Sequence, residues 1–368
     1  MTTTFFEGES ITSWLIRASF NQGCSPSTFT QYYWTNYRIW TYDIDKGFEF
    51  IDHSIHKDMA ILANTTIDRF DNQTLISFAK NTNVSIENNN VLLWTNPLSK
   101  RNRYARIGYS YCSDCMKEDK QAYLKLKWRF TWSVCCIKHK KFLQAKCPYC
   151  HHPYQPQLIR PEQRFINYCH SCCHKLDKAI LPVVPSEAVH QFQLLANQVF
   201  HHKRGVVLEN VVNIGDWFDY LLFLINLIRI ALKNPNYMFG KLLLKLGINL
   251  EDLVPPKTGL RFDFLPVEER AMLVGLAYRL LQITFYDWVH YCKELNITQN
   301  SFQWSTRTVV PKAFSQVYNQ LPKVPTRKYI EQSNDIQTTS PEAVMTAWSR
   351  LKRKIDIRES YDKHLGKD

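Results

Sequence analysis

Four short motifs stand in the middle of the chain, and each begins and ends with a side chain that binds metal through sulfur or nitrogen: Cys112-Ser113-Asp114-Cys115, Cys136-Ile137-Lys138-His139, Cys147-Pro148-Tyr149-Cys150 and Cys169-His170-Ser171-Cys172. Two ligands separated by two residues form a tight loop that supplies half of a tetrahedral zinc shell. Twenty residues separate the first motif from the second, and eighteen separate the third from the fourth. These intervals are typical of zinc ribbons. The spacing therefore predicts two zinc sites in tandem.

The predicted ligands are Cys112, Cys115, Cys136 and His139 in the first site, and Cys147, Cys150, Cys169 and Cys172 in the second. Two neighbouring thiols leave alternatives open, because Cys135 adjoins Cys136 and Cys173 adjoins Cys172. We choose Cys136 and Cys172, since both keep the two-residue gap. Four protein ligands leave no open position on the metal. We therefore expect two structural zinc ions and no catalytic residue.

Composition limits the class of protein. A chain of 368 residues with 45% hydrophobic residues can bury a sizeable core, which excludes a disordered protein. Residues 1–8 lack the charged and apolar regions of an export signal, so we expect a cytoplasmic, bacterial protein with reduced thiols. The apolar run Trp217 to Leu232 is too short to span a bilayer and contains Arg229. It predicts a buried helix.

The positive charge is concentrated on the cysteine motifs. The net charge is +13, and residues 100–180 hold 17 Lys and Arg against five Asp and Glu. Such a segment favours a nucleic acid or an acidic protein surface as partner, although a charge excess that only keeps the protein soluble is the alternative. The predicted contact residues are Arg101, Arg103, Arg106, Lys125, Lys127, Arg129, Lys138, Lys140 and Lys141. The alternating basic and aromatic side chains of Tyr123 to Trp132 fit nucleic-acid contact and the covering of a small zinc core equally well.

The flanking segments predict a mainly α fold. Residues 1–99 should form an N-terminal helical domain, residues 100–182 the tandem zinc region, and residues 183–368 a C-terminal helical domain. The N-terminal domain contains a helix-turn-helix-like pair, Glu9 to Phe20 and Ser25 to Tyr33, for which we favour a packing role over DNA binding. Apolar residues recur at helical spacing in four later segments: Glu187 to Phe200, Asp216 to Leu232, Pro266 to Ile283 and Thr284 to Leu295. The last, with a helix from Thr298 onward, predicts a possible second helix-turn-helix.

Two parts of the sequence resemble a known family. Glu9-Ser10-Ile11-Thr12-Ser13-Trp14-Leu15-Ile16-Arg17 looks like the N-terminal signature of the TniQ proteins. The order of the first three metal motifs is similar to the zinc region of that family. Tyr111 before the first motif, Glu118-Asp119 after it and Trp128 farther along also fit the pattern. The resemblance covers roughly residues 9–180.

The resemblance implies a transposon target-selection protein without catalytic activity. It implies an adaptor that recruits an ATP-dependent AAA+ transposition regulator, which then engages the transposase. The short TniQ members of CRISPR-associated transposons bind a guide-RNA effector complex as a head-to-tail homodimer. The longer TnsD members read a fixed chromosomal DNA site directly, and this is the alternative function. Length favours the short form. One departure is Cys173, which stands where relatives commonly have glycine.

Overall fold

The computed structural model describes residues 2–47, 52–84, 92–98, 109–180, 185–250, 253–256, 260–304 and 308–324, and the positions 340–342, 344–345, 348–349 and 352. The chain divides into a compact unit, Met1–Lys323, and a second unit, Val324–Asp368. In the second unit, the described positions from Pro341 to Lys352 are helical, and Val344, Met345 and Trp348 are exposed.

The compact unit is mainly helical, as predicted. Its described residues form twelve α-helices: α1 (Ile11–Asn21), α2 (Pro26–Tyr33), α3 (His53–Leu62), α4 (Ile67–Asn72), α5 (Leu75–Lys80), α6 (Ser113–Glu118), α7 (Glu187–His202), α8 (Ile214–Lys233), α9 (Met238–Lys245), α10 (Val267–Leu281), α11 (Phe285–Glu294) and α12 (Ser315–Asn319). The strands are two short antiparallel pairs, β1 (Cys135–Cys136) with β2 (Lys141–Phe142), and β3 (Arg204–Val207) with β4 (Asn210–Asn213).

The predicted N-terminal helix pair forms as α1 and α2. The Ser10 side chain accepts a hydrogen bond from the Ser13 amide at the start of α1, and Ser25 caps α2 in the same way. Gly23 makes the turn between the helices at φ +69°, a conformation that costs glycine little. All of Ile11 to Phe20 is buried, as expected of a helix that packs inside the domain.

Helix α8 lies at the centre of the largest core. Its apolar residues face neighbours on several sides, because α9, α10 and the β3–β4 hairpin pack against it. Trp217, Leu221 and Leu224 are fully buried. The prediction of a buried helix in this segment is confirmed. Among the residues that the structure describes, no helix has both the length and the apolar character needed to cross a membrane.

The largest core draws on widely separated parts of the chain. Phe78 of α5 and Phe130, which precedes the second metal motif, have ring centroids 4.7 Å apart, and Phe78 lies 5.2 Å from Phe218 of α8. A second core surrounds the metal motifs, and a third lies around α1 to α4. The predicted domain boundaries, at 99–100 and 182–183, fall outside the described residues. They stay predictions.

The possible second helix-turn-helix needs correction. Helix α11 forms as predicted, and Asn296 makes a turn at φ +53°. The next element, however, is a 3₁₀ turn, Gln299–Phe302, and not an α-helix. Phe302 is fully buried against Phe223 and Phe239. The segment after α11 therefore closes the main core and does not present a second helix.

Candidate metal centres

The first predicted site is assembled around His139. Its Nδ1 atom lies 3.3 Å from Cys112 Sγ, 3.4 Å from Cys115 Sγ and 3.6 Å from Cys136 Sγ. The Sγ atoms of Cys115 and Cys136 lie 3.8 Å apart. With Zn–S bonds of about 2.3 Å, the sulfur atoms of a tetrahedral shell lie about 3.8 Å apart. The four donors therefore form a cage of the size that Zn²⁺ requires.

Two local structures hold these four side chains. Cys112 precedes α6 at its N-cap position, and Cys115 lies one turn into that helix. Cys136 lies in β1, whose pairing with β2 folds the second motif into a tight loop ending at His139. The backbones of Tyr111 and Gln144 bond to each other in both directions at 2.8 Å, which joins the two halves of the site. Backbone hydrogen bonds therefore help to position the four donor side chains.

Glu118 orients the histidine of the first site. Its Oε2 atom lies 2.9 Å from His139 Nε2, the ring nitrogen that faces away from the cysteines. The same oxygen accepts a hydrogen bond from Lys138 Nζ at 2.6 Å. Hydrogen bonds from Lys138 and His139 hold the pKa of Glu118 below its ordinary value. A carboxylate behind a ligating histidine fixes the ring and raises its basicity toward metal.

The second site consists of four cysteines. The sulfur atoms of Cys147 and Cys172 lie 3.6 Å apart, as do those of Cys150 and Cys169. All four sulfur atoms lie within 4.8 Å of one another. This arrangement also fits a tetrahedral thiolate shell.

The two loops of the second site repeat the same backbone pattern. The amide of Cys147 donates to the carbonyl of His152, and the amide of Cys169 donates to the carbonyl of His174, both at 2.9 Å. The Tyr149 amide points at Cys147 Sγ at 3.4 Å, and the Ser171 amide points at Cys169 Sγ at the same distance. Amide hydrogens aimed at sulfur favour the thiolate that binds metal.

The residue that follows each of the last three metal motifs has a left-handed backbone. Lys140, His151 and Cys173 have φ values of +50°, +59° and +61°. Glycine adopts this conformation at least cost, so Cys173 occupies a glycine-like position. Neither potential ligand cluster includes Cys173, which is exposed, or Cys135, which is buried in the main core. The structure thus groups the eight residues chosen by spacing.

The cages fit zinc better than they fit disulfide bonds. All eleven cysteines are free thiols in the structure. Bound zinc would take all four donors of each cage, and would cross-link the backbone without an open position for substrate. The tyrosines of the intervening core join the two sites, because the rings of Tyr111 and Tyr154 lie 5.1 Å apart and Tyr111 Oη donates to the Lys146 carbonyl at 2.7 Å.

The N-terminal signature residues form a buried network. Arg17 donates to both carboxylate oxygens of Glu9 at 2.7 Å, and Ser13 Oγ donates to Glu9 Oε1 at 2.8 Å. The Ser13 hydroxyl in turn accepts the Leu124 amide at 2.9 Å. Glu9, Ser13 and Arg17 are almost fully buried. These side chains therefore attach α1 to the first metal module.

One predicted contact residue, Arg129, is corrected. Its side chain is only 2% exposed and forms ion pairs with Asp43 at 2.8 Å and Asp45 at 2.6 Å. Burial alone would lower the pKa of Arg129, but the two carboxylates outweigh burial and raise it. The charge is thus used inside the protein, because an unpaired buried guanidinium would be very costly. We withdraw Arg129 from the predicted partner surface.

The other predicted contact residues differ in environment. Lys138 and Lys141 are at the surface and pair with Glu118 and Asp114. Lys140 is exposed, whereas Lys127 is half-buried. Lys125 Nζ lies 3.9 Å from Cys115 Sγ, close enough to balance thiolate charge at the first site. The remaining candidates lie outside the described residues: Arg101, Arg103 and Arg106.

Comparison with known families gives one match. Residues 1–143 match the family model described as TniQ, which covers the N-terminal helices and the first metal site. No curated protein matches the chain.

Proposed function

Residues 1–143 of this chain are a TniQ domain, and from that premise we propose that the protein is an adaptor that couples a target-recognising complex to the transposition machinery. The domain implies a role in transposon target selection. We propose further that the target-recognising complex is a guide-RNA CRISPR effector. The adaptor would then recruit the AAA+ regulator, and through it the transposase, to the chosen DNA.

The main support for this proposal is that the residues matched by the family model include the whole first metal site. The matched region ends at residue 143, directly after β2, so it contains all four predicted ligands of the first site. The buried Glu9–Arg17 network joins α1 to that site through Leu124. A rigid module of this kind suits a protein that positions partners, because fixed surfaces reduce the entropy lost on binding.

The metal ions would act as structural cross-links. We propose zinc in both cages, held by Cys112, Cys115, Cys136 and His139 and by Cys147, Cys150, Cys169 and Cys172. With both shells closed by protein donors, we assign no catalytic step to either site. A head-to-tail homodimer, as the family resemblance implies, completes the proposed assembly.

The test is reconstitution of the proposed complex. The purified protein is mixed with a purified guide-RNA effector complex and separated by size-exclusion chromatography at moderate salt. Co-elution that depends on the guide RNA, followed by recruitment of the AAA+ regulator, is the expected result. A sequence-specific footprint on one DNA site without any guide RNA would contradict this proposal and favour the TnsD-like function.

A further inference from the structure

Helix α9 presents a stripe of aromatic and basic side chains to solvent. Tyr237, at the position before the helix, is 74% exposed, and Lys241 and Lys245 follow it at exposed positions one and two turns later. The opposite side of the helix is buried, as Phe239 and Leu243 show. A tyrosine and two lysines therefore follow one another along one helical face.

Helix α11 repeats this order of side chains. Tyr286 is 72% exposed, and His290 and Lys293 follow it at exposed positions one and two turns along the helix. The rings of Tyr286 and His290 stack with centroids 5.9 Å apart and planes 7° apart, which extends the exposed aromatic area. Trp288 is fully buried on the other side. The two helices thus expose similar chemistry.

An ion pair joins the two stripes. Lys245 Nζ donates to Glu294 Oε1 at 2.6 Å, and α11 packs against α9. From the rise of an α-helix, each exposed tyrosine lies about 12 Å along its own helix from this ion pair. The two stripes therefore adjoin, and we call them together the tyrosine–lysine surface. It consists of Tyr237, Lys241, Lys245, Tyr286, His290 and Lys293.

The backbone that carries this surface is fixed. A Cβ atom at Gly240 would lie 1.8 Å from the Pro235 carbonyl oxygen, so the turn that leads into α9 packs directly on the first turn of the helix. Thr284 Oγ1 accepts the Asp287 amide at 3.1 Å and caps α11. Both helices are anchored in the main core. The exposed tyrosines therefore need no rearrangement of the helices to meet a ligand.

The tyrosine–lysine surface keeps positive charge that no carboxylate neutralises. Helix α9 contains no acidic residue. On α11, Glu294 pairs with Lys245, and Asp287 accepts a hydroxyl hydrogen bond at the start of the helix. Lys241 and Lys293 have no ion-pair partner among the residues that the structure describes. An anion can therefore pair with both of these lysines.

The order of side chains favours a single-stranded nucleic acid over an acidic protein. Lysine is depleted in protein interfaces, whose centres are apolar and aromatic. Here cations follow each exposed tyrosine within two turns, and on α9 and α11, which the structure describes in full, Leu244 is the only exposed large aliphatic residue. In proteins that bind single strands, aromatic rings stack on bases while cations follow the phosphates. The paired bases of a duplex offer no such open face to a ring.

We propose that the tyrosine–lysine surface binds single-stranded nucleic acid, with Tyr237 and Tyr286 stacking on bases and Lys241 and Lys293 contacting backbone phosphates. RNA and DNA strands share this chemistry. The inference rests on the proposed function for its setting, because a guide-RNA effector leaves one strand of its DNA target unpaired. Stacking tolerates any base, so the surface would hold a strand without reading its sequence.

The binding test uses the purified, zinc-loaded protein without any effector complex. Fluorescence anisotropy measures binding of three labelled single strands of equal length: RNA, DNA of the same sequence, and DNA that is abasic throughout. Tyr237→Ala and Tyr286→Ala should each weaken binding of the two base-bearing strands about tenfold. Neither substitution should change binding of the abasic strand, which has phosphates but no rings. Comparison of RNA with DNA identifies the source of the strand.

Lysine variants test the phosphate contacts. Lys241→Gln and Lys293→Gln should weaken binding of all three strands, and each should reduce the slope of log affinity against log salt by about 0.7, the value for one phosphate contact on a single strand. Tyr237→Phe and Tyr286→Phe should preserve binding, because phenylalanine keeps the ring. Tyr32→Ala is the matched control, since Tyr32 is 80% exposed on α2, a helix without lysine, and its loss should leave the affinity unchanged.

Several results would overturn the proposal. Equal affinity of the wild-type protein for abasic and base-bearing strands would exclude stacking, as would equal effects of Tyr237→Ala and Tyr32→Ala. Tighter binding of duplex DNA than of either single strand would contradict the choice of ligand. Displacement of a bound strand by a lower concentration of polyglutamate than of unlabelled strand would favour an acidic protein partner instead.

Cross-linking of the unmodified protein removes the dependence on folding of the variants. A strand that contains 4-thiouridine is irradiated with the protein, and cross-linked peptides are identified by mass spectrometry. Peptides that contain Tyr237 or Tyr286 should carry the nucleotide, and cross-links confined to other segments would contradict the proposed surface. If the protein binds single strands here but never an effector complex, the adaptor function fails and this inference stands. If it binds the effector complex but no single strand, only this inference fails.

Discussion

Single buried charges hold the N-terminal part of the molecule to the metal module. Glu9 and Arg17 are paired with almost no exposure, and Arg129 lies between Asp43 and Asp45. Burial raises the pKa of Asp45, and the charge of Arg129 opposes that rise. Removing one member of such a pair leaves an uncompensated charge in a region of low dielectric. The folded state is therefore stable only when both partners of each buried ion pair are in place.

We predict that Glu9→Gln lowers the free energy of unfolding by about 3 to 5 kcal/mol, because Arg17 then stays buried without its counter-charge. Urea denaturation followed by circular dichroism measures the change. Glu294→Gln is the control, since Glu294 forms an exposed pair with Lys245 at 2.6 Å and its loss should lower the free energy of unfolding far less than Glu9→Gln does. Similar decreases in the free energy of unfolding in the two variants would show that burial of the Glu9–Arg17 pair is not the reason for its contribution to stability.

A second prediction at this scale concerns Glu118. Glu118→Gln should weaken zinc binding at the first site about 10-fold to 100-fold, because His139 loses the carboxylate that orients its ring. Competition with a chromophoric chelator measures the affinity. Glu187→Gln on α7 should leave it unchanged. An unaltered affinity in Glu118→Gln would mean that the backbone alone positions His139.

At the scale of elements, three of the four metal motifs share a strained turn. The last three motifs each continue into a residue with left-handed φ, and none of these three residues is glycine. A left-handed conformation costs a non-glycine residue about 1 to 2 kcal/mol, so backbone hydrogen bonds or metal must supply the difference. The Cys173 amide donates to the Cys169 carbonyl at 3.0 Å, and the His151 and Lys140 amides make the equivalent bonds.

We predict that Cys173→Gly raises the free energy of unfolding of the zinc-loaded protein by about 1 kcal/mol through relief of this strain. Elemental analysis should still find two zinc ions per chain in this variant. Cys172→Ala should lose one ion, because it removes a donor from the cage. If Cys173→Gly instead lost an ion, Cys173 would be a ligand and the choice between the adjacent thiols would have to be reversed.

An element can be predicted from sequence when the residues that determine it lie close together in the chain. The metal loops and helices α7, α8, α10 and α11 could be predicted, because their ligands or apolar residues recur at a fixed spacing within one segment. The β3–β4 hairpin could not. Its turn residues, Leu208 and Glu209, both have positive φ, where asparagine and glycine are the usual signal. Burial of Leu208 in the main core compensates for that poor local preference.

Non-local pairing also explains why Arg129 was misassigned from sequence. Nothing adjacent to it in the chain marks it as buried, since its partners Asp43 and Asp45 lie more than eighty residues earlier. The charge pattern of a segment shows how much charge is present. Only the fold shows which charges are already neutralised.

At the scale of the whole molecule, one core crosses the predicted domain boundaries. Arg270 of α10 donates from Nη1 to the Asn96 side chain at 3.1 Å and to the Thr131 carbonyl at 2.6 Å. Burial lowers the pKa of Arg270 to about 10. Asp263 accepts the Trp94 amide at 2.9 Å and the Thr131 hydroxyl at 3.0 Å. The segments on either side of the metal module are thereby joined through it.

We predict that removing metal with a strong chelator abolishes the hydrogen-exchange protection of amides in residues 109–180, because binding free energy of structural zinc is folding free energy for such modules. Amides of α8 should keep most of their protection, since the hydrophobic core around α8 includes none of the eight predicted metal ligands among the described residues. Mass spectrometry after exchange in deuterated buffer measures both. Protection that persists at Tyr111 and Gln144 without metal would contradict the structural role of the ions.

The order of these segments along the chain has a consequence for synthesis. All eight cage residues leave the ribosome before α7 begins, so both ions can be captured while the remaining helices are still untranslated. Phe78, Phe130 and Trp132, which later pack against α8 or α7, would then face solvent as a cluster of aromatic rings. A nascent chain in this state would expose an aggregation-prone aromatic surface. Its yield in the cell should depend on chaperone capacity as well as on zinc supply.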